Sequence, residues 1–413
     1  MSQVVSRERK PLFGFFHSLK TAFKSKKRTA PAPLISSAEP ALPIELLEQI
    51  VSLVRGNEEL LQLSQTCRAL NYIASKRLYR TVAIDANMFH GRRHPFTILP
   101  KVLSSPQKAE LVTTLNIFVP SIVKCKTRFR SRTCVCAEWD EMFGTMAMSL
   151  PNLQDLRILQ FNPKARVTEY PSYLARLSTT QLRRFRFLCG YDAWQQIPDF
   201  KRVLLEPSMQ SLEVLCLPFD CLFETEQEAD DFFSNPDVLP NLTTIIEDGN
   251  MRMPNVFVHR KIRRVLLGEF RGMQGPLGMT RLFQQLLDSK TKLTHLSTMF
   301  SSEIPFDLVV ANLELFTDLQ HLGRIRINNH NHNHSLDTIM QQLARFPNLY
   351  SISVEPQSPK IHERAIFEEV RVRLPRVTQI LHIGTRWRLN EAGEWKPEST
   401  IDEAYLEMDL DSL

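Results

Sequence analysis

Apolar residues between Ala41 and Ile84 recur at helical steps. Leu46, Ile50 and Leu53 form one stripe and Leu47, Val51 and Val54 a second, so the first predicted helix is apolar over more surface than one neighbour would hide. Leu42-Pro43 opens it: proline suits a first turn, where its missing N–H has no intrahelical partner, and Glu45 favours the positive end. Past the polar break Arg55-Gly56-Asn57, residues Leu60, Leu63, Cys67 and Leu70 alternate three- and four-residue steps, the spacing of a second helix packed along one seam. Ile73, Leu78 and Tyr79 continue as a short third helix. A segment this short and this apolar cannot bury itself, which makes it a docking device.

Beyond Ile84 the pattern changes to short lines of the form apolar-x-x-apolar-x-apolar. They start at Val112, Leu153, Leu182, Leu212, Leu242, Leu293, Leu319, Leu349 and Val377, at steps of 41, 29, 30, 30, 51, 26, 30 and 28 residues. A weaker line, Ile262, Val265 and Leu267, divides the longest step into 20 and 31. Repetition near this period, with a strand opening each unit, is the signature of a leucine-rich-repeat solenoid, in which each unit needs neighbours to bury its apolar side. The expected fold class is α/β: a three-helix module followed by an irregular leucine-rich-repeat-like solenoid of about nine or ten units with parallel strands. Leu212 to Leu222 comes closest to the consensus line, with Asp220 where Asn or Cys is usual. Most other units lack that polar position, so a regular ladder of backbone-satisfying asparagines is not expected. Unrelated strands of an α/β domain are the alternative, because the spacing scatters.

Ala137 to Ser149, Thr280 to Ser289 and Leu336 to Arg345 have the content of helices on the convex side. The recurring x-Pro-Asn-Leu at Leu150, Leu239 and Phe346 stops each preceding helix, since a residue before proline is pushed out of the α region. Gly384 to Pro397 reads as a hairpin in which Trp387 and Trp395 pair and cap the last repeat. The residues therefore divide into a basic tail (1–40), the helical module (41–84), the repeat domain (85–383), and a hairpin cap with an acidic tail (384–413).

The Leu-Pro opening, the Glu45-Leu46-Leu47-x-x-Ile50 run, Thr66-Cys67-Arg68-Ala69-Leu70 and the Arg77-Leu78-Tyr79-Arg80 close resemble the F-box family, whose common tryptophan near the end of the second helix is absent here and whose fungal members often carry Leu-Tyr in the third. The resemblance implies docking to the Skp adaptor of a Skp/cullin/F-box ubiquitin ligase, with the repeats choosing a protein substrate on their concave strand face. The residues it assigns to adaptor docking are Leu42, Pro43, Leu46, Ile50, Leu53, Leu60, Leu63, Cys67 and Leu70, some of which must pack the module's own core. An ordinary three-helix bundle inside a larger core is the alternative. A scaffold that uses the adaptor without cullin is a second functional reading, and a membrane or nuclear tether built on the tail a third.

Composition narrows the partners. The 413 residues are 43% hydrophobic and 23% charged with a net charge of +6, but residues 1–30 hold eight bases against one acid, leaving 43 bases and 44 acids in the rest. The body is neutral, so nucleic acid is not an expected partner. Within the tail, Leu12, Phe15, Phe16, Leu19 and Phe23 sit among lysines at helical spacing; membrane contact, nuclear import through Lys24 to Arg28, and plain disorder all fit. Seven scattered cysteines point to reduced thiols and a cytoplasmic or nuclear setting.

The 41-residue step contains Lys124, Lys126, Arg128, Arg130 and Arg132 on alternate positions, one face of an extended strand. They fit a basic finger for an acidic or phosphorylated substrate segment, and more simply an exposed charged loop. Cys125, Cys134 and Cys136 lack the paired C-x-x-C knuckles and fourth ligand of a zinc site, and the Asn328 to His334 run reads as a loop tip between repeats. Gly272 to Gly278 lacks the Lys-Ser/Thr of a P-loop, and neither a nucleophile elbow nor an H-E-x-x-H helix occurs. No metal, cofactor or catalytic residue is assigned, and the expectation is a non-catalytic subunit.

Overall fold

The structure is a computed structural model that describes residues 42–54, 56–85, 105–119, 148–160, 174–175, 177, 181–189, 200–217, 222–223, 225–247, 256–267, 284–289, 291–298, 306–327, 335–356, 363–382 and 385–400. The chain divides into two compact units, with the break after Ala74.

In the first unit, α1 (Ile44–Ser52) starts at Pro43, whose φ of −52° and ψ of 146° set the chain for entry, and Glu45 lies in its first turn. Helix α2 (Asn57–Ser64) follows Gly56, and α3 runs from Arg68 to Arg80, with the unit boundary inside it. The seam expected along one second helix is thus split, with Leu60 and Leu63 on α2, Cys67 in the gap and Leu70 on α3. Local bonds account for the break. The hydroxyls of Ser64 and Thr66 donate to the carbonyls of Leu61 and Leu63 at 2.6 and 2.8 Å, and Asn71 Nδ2 donates to Ser64 O at 2.7 Å. Such side chains compete with the helical ladder and favour a turn.

The second unit is built on one thirteen-stranded sheet whose strands lie side by side in chain order. Strands β1 (Thr81–Asp85), β2 (Thr114–Val119), β3 (Asp155–Gln160), β4 (Arg184–Cys189), β5 (Val214–Cys216), β6 (Thr244–Glu247), β7 (Arg264–Leu267), β8 (His295–Thr298), β9 (His321–Ile327), β10 (Ser351–Pro356) and β11 (Gln379–His382) are all parallel. Every line read from the sequence supplies one of them, and the weak line at Ile262 becomes β7. Strand β1 was not anticipated: the end of the helical module is also the first strand of the sheet. The arrangement is solenoid-like and α/β.

Alternate strand residues, among them Leu115, Ile117, Phe185, Phe187, Leu296 and Ile352, join one core cluster with Phe200, Val203, Leu204, Phe233, Phe257, Val309, Ile339, Leu343 and Val370. The latter lie on short helices: α4 (Pro106–Ala109), α5 (Phe200–Leu204), α6 (Glu226–Ser234), α7 (Val256–His259), α8 (Phe306–Ala311), α9 (Leu336–Leu343) and α10 (Glu363–Arg373). The expected helix at Thr280 to Ser289 is helical over 284–289, and that at Leu336 is α9. Only the last residues of the Ala137 to Ser149 segment are described, and 148–149 are helical.

Asparagines join some of the repeats, without making a regular ladder. Asn152, Asn241 and Asn348, each in an x-Pro-Asn-Leu turn, donate to Glu110 O, Gln210 O and Thr317 O in the preceding unit at 2.8, 3.2 and 2.8 Å. The residue lies just before the buried leucine rather than at the consensus position, so the missing consensus polar residue does not mean a missing bond. Arg376 does the same at Pro347 O. A backbone spine runs beside them, with Glu213 N to Arg183 O at 2.8 Å, Thr243 N to Glu213 O at 3.1 Å and Arg263 N to Thr243 O at 2.8 Å.

The sheet ends in β12 (Thr385–Leu389) and β13 (Trp395–Thr400), which run antiparallel as the expected hairpin. Trp387 and Trp395 converge on Phe367, at 5.0 and 5.7 Å between ring centroids.

Candidate functional site

On α1 the two apolar stripes separate. Leu47 and Val51 are 8% and 1% exposed and form the inner face, whereas Leu46 and Ile50 remain 43% and 45% exposed and Leu53 80%. Leu42 and Ile44 are also exposed at the helix start. Exposed leucines and isoleucines at this spacing leave a continuous apolar strip in water, the mark of a surface made for a partner.

The nine residues expected to dock an adaptor are placed unequally. Leu42, Pro43, Leu46, Ile50, Leu53 and Cys67 are exposed and Leu70 is half-buried. Leu60 and Leu63 are 3% and 8% exposed, so they belong to the module's interior and present no surface. Periodicity cannot tell the two apart, because both lie on an apolar stripe. Conversely Ile44, Leu61 and Tyr72 are exposed apolar residues that the sequence reading passed over. Helical spacing puts Ile44 in step with Leu47 and Val51, so periodicity gave no signal of its exposure at the first residue of the helix.

In the second unit, strand residues that alternate with the core set face away from the helices. Val214, Cys216, Ile246 and Leu266 on that face are buried yet lie outside the helix-packed cluster. Toward β8 to β10 the face turns polar, with His295, Ser297, His321, Ser351 and Ser353 all buried. Parallel register sets His295 opposite His321 and His321 opposite Ser351. The imidazoles stack at 6.1 Å and 24°, and His321 Nδ1 lies 2.9 Å from Ser351 Oγ. Thr294 Oγ1 donates to Arg263 O at 3.1 Å, so at its 2.7 Å contact with His295 Nδ1 it accepts, and the imidazole carries its proton on Nδ1. Burial, aided by His321 and then Arg264, lowers the His295 pKa to about 3. The ring is neutral at physiological pH.

At 2% and 1% exposure, neither side chain of the His321–Ser351 pair is open to solvent. The paired rings belong to the packing of this face. Gly323 beside them has no room for a side chain, since a Cβ there would stand 2.0 Å from Ser297 Oγ. Next to it, Arg324 has a φ of +55° where β9 carries an extra residue against β10.

Lys124, Lys126, Arg128, Arg130 and Arg132 lie outside the described residues, as do Cys125, Cys134, Cys136, the 328–334 run, the 272–278 glycines, residues 1–41 and residues 401–413. Among the described residues no group of three or more His, Cys, Asp or Glu is placed to hold a metal ion. No described helix is long and apolar enough to cross a membrane.

The first unit is a small helical module with one buried and one exposed apolar stripe, in a chain that also carries a long, mostly parallel sheet. Residues 40–85 match the model of the F-box-like family. The chain thus carries an F-box-like domain whose matched span covers α1 to α3 and β1. No curated protein matches the chain.

Proposed function

We propose that this chain is the substrate-recognition subunit of a Skp/cullin/F-box ubiquitin ligase, of the form found in fungi. The outer stripe of α1 binds the Skp adaptor, and a leucine-rich-repeat-like domain built on the parallel sheet holds a protein substrate. The chain does no covalent chemistry. It raises the effective concentration of a substrate lysine near the cullin-bound conjugating enzyme. The observation that carries the reading is the outward stripe of Leu46, Ile50 and Leu53, with exposed Leu42 and Ile44 at the helix start, within the matched F-box-like segment. A neutral body supports a protein substrate over nucleic acid, and seven scattered cysteines fit the cytoplasm or nucleus.

Purification of the tagged full chain from its own cells tests this. Adaptor and cullin co-purify with the wild type, and a Leu46→Asp, Ile50→Asp double variant loses both while keeping its helical signal. Adaptor without cullin means a scaffold and not a ligase subunit. Equal adaptor recovery from wild type and double variant overturns the docking assignment.

A further inference from the structure

The edge of the sheet where the strands begin is unevenly charged. Across β4 to β8, the four residues that lead into and open each strand include six bases, Arg183, Arg184, Lys261, Arg263, Arg264 and Lys292, and one acid, Glu213. Residues 31–413 as a whole hold 43 bases and 44 acids, so this is a local concentration. The bases fall into two groups. Arg183 and Arg184 enter β4; Lys261, Arg263 and Arg264 enter β7, with Lys292 beside them at β8. Between them β5 and β6 contribute Val214, Thr243 and Thr244, leaving Glu213 as the one charge in the gap.

These side chains reach water. Arg183 and Lys292 are 60% and 61% exposed, and Lys261 and Arg263 are exposed as well. Three ion pairs at this edge are long: Arg183 to Glu213 is 3.7 Å, and Arg184 to the buried Asp155 and Lys292 to Asp318 are each 4.0 Å. Exposed pairs of that kind contribute little and exchange readily for a better anion. The rows are also rulers. Arg183, Glu213, Thr243 and Arg263 occupy the same step before successive strands, joined by the backbone spine. Three strand spacings of about 4.8 Å put Arg183 and Arg263 about 14 Å apart. An extended peptide advances about 3.4 Å per residue, so four residues cover the same distance.

We propose that this edge recognises an extended protein segment carrying two anionic side chains, carboxylate or phosphate, four residues apart. The segment crosses the strand starts from β4 to β7, and guanidinium forks grip its two anions. The inference rests on the solenoid being the substrate-binding part. A nucleic acid fits worse, because its affinity grows with the number of phosphates neutralised and the body beyond this edge carries no excess of bases.

The test titrates the full chain, bound to its adaptor, into fluorescein-labelled Gly/Ser peptides bearing two phosphoserines or two aspartates, spaced two, four or seven residues apart. Fluorescence anisotropy is read at low and moderate salt. The four-residue spacing binds tightest, by roughly fivefold over the others, and weakens with salt. Tightest binding of this spacing by the aspartate peptides shows that carboxylates suffice; by the phosphoserine peptides alone, that phosphate is required; either supports the proposal. Lys261→Glu with Arg263→Glu weakens the best peptide about tenfold, and Glu213→Gln tightens it severalfold by removing the competing carboxylate. Affinity independent of spacing, unchanged affinity in the double variant, or tighter binding of a single-stranded oligonucleotide or of phosphatidylserine vesicles overturns it. Adaptor retention is measured on the same preparations. A chain that keeps its adaptor and ignores the peptides refutes this inference alone, whereas one without adaptor refutes the docking assignment.

Discussion

Replacing Arg260 by methionine tests how the repeats are joined. The side chain is 7% exposed just after α7, and its guanidinium reaches back into the turn after α6. Nε donates to Val238 O at 2.8 Å, Nη2 to Asn235 O at 2.5 Å and also to Val238 O, and Nη1 to His259 O at 2.7 Å. Burial lowers the Arg260 pKa, so holding the charge there has a cost that the three carbonyls offset. Methionine keeps length and removes every donor. Val238 is buried and loses its partner outright, while exposed Asn235 turns to water. One buried carbonyl left bare costs about 1–3 kcal/mol, and with the lost charged bonds the expected destabilisation is about 2–4 kcal/mol. Urea unfolding of the full chain, followed by circular dichroism, reads the difference. Exposed Arg263→Met serves as the control and stays within about 0.5 kcal/mol of the wild type. A loss at Arg260 no larger than the control's would refute the idea that this guanidinium clamps one repeat to the next.

Three further outcomes are expected. With its pKa lowered to about 3 in the folded chain and near 6.5 unfolded, His295 binds protons more readily when unfolded. Its contribution is intact above about pH 6.5 and is lost as pH falls toward 3, at about 1.4 kcal/mol per unit, or about 2 kcal/mol between pH 7 and pH 5. His295→Gln flattens the pH dependence of the urea midpoint by that amount, and an unchanged slope speaks against it. Gly323→Ala drives a Cβ to 2.0 Å from Ser297 Oγ and 2.7 Å from Ser297 Cβ, and overpacking costs about 1–3 kcal/mol; adding Ser297→Gly recovers most of it, as a double-mutant cycle of melting temperatures shows. Asn348→Ala forfeits the 2.8 Å bond to Thr317 O and about 1 kcal/mol of unfolding free energy, and Asn348→Asp loses more because a carboxylate then faces a carbonyl.

Much of the sheet was legible because each strand repeats one local pattern whose first apolar residue is buried. The clearest case is β7, where Ile262 and Val265 stand in place of leucine ahead of Leu267 but keep the spacing, and neighbours on both sides fix the register. Strand β1 was hidden because Thr81–Asp85 follows α3 without a turn signal and reads as the close of a helical module. The second buried face was hidden for another reason. Val214, Cys216, Ile246 and Leu266 alternate with core residues, so β5 to β7 are apolar on both sides and read as short runs without period. On α1 both stripes could be seen, but which one turned inward could not, because amphipathic spacing carries no information on what lies beyond the helix. The His295–His321 pair and the divided basic edge exist only through register, which brings together residues 26 or 80 positions apart in the chain.

The same register that builds such surfaces also creates a hazard, since a parallel sheet can be extended at any free edge. At its C-terminal end the sheet is closed by reversing direction. Parallel order stops at β11, and β12 and β13 return as a hairpin that needs no crossover helix. The core cluster needs a lid there, and Trp387 and Trp395 supply it against Phe367, with Trp395 Nε1 donating to Phe367 O at 3.2 Å. The outermost strand is then a poor template: Pro397 has no N–H to give, and exposed Lys396 and Glu398 flank it. Terminal repeats of a solenoid must differ from internal ones for this reason. Here the difference is one of strand direction and proline placement, so rows of charge along the strand starts can be displayed without offering the sheet itself as a partner.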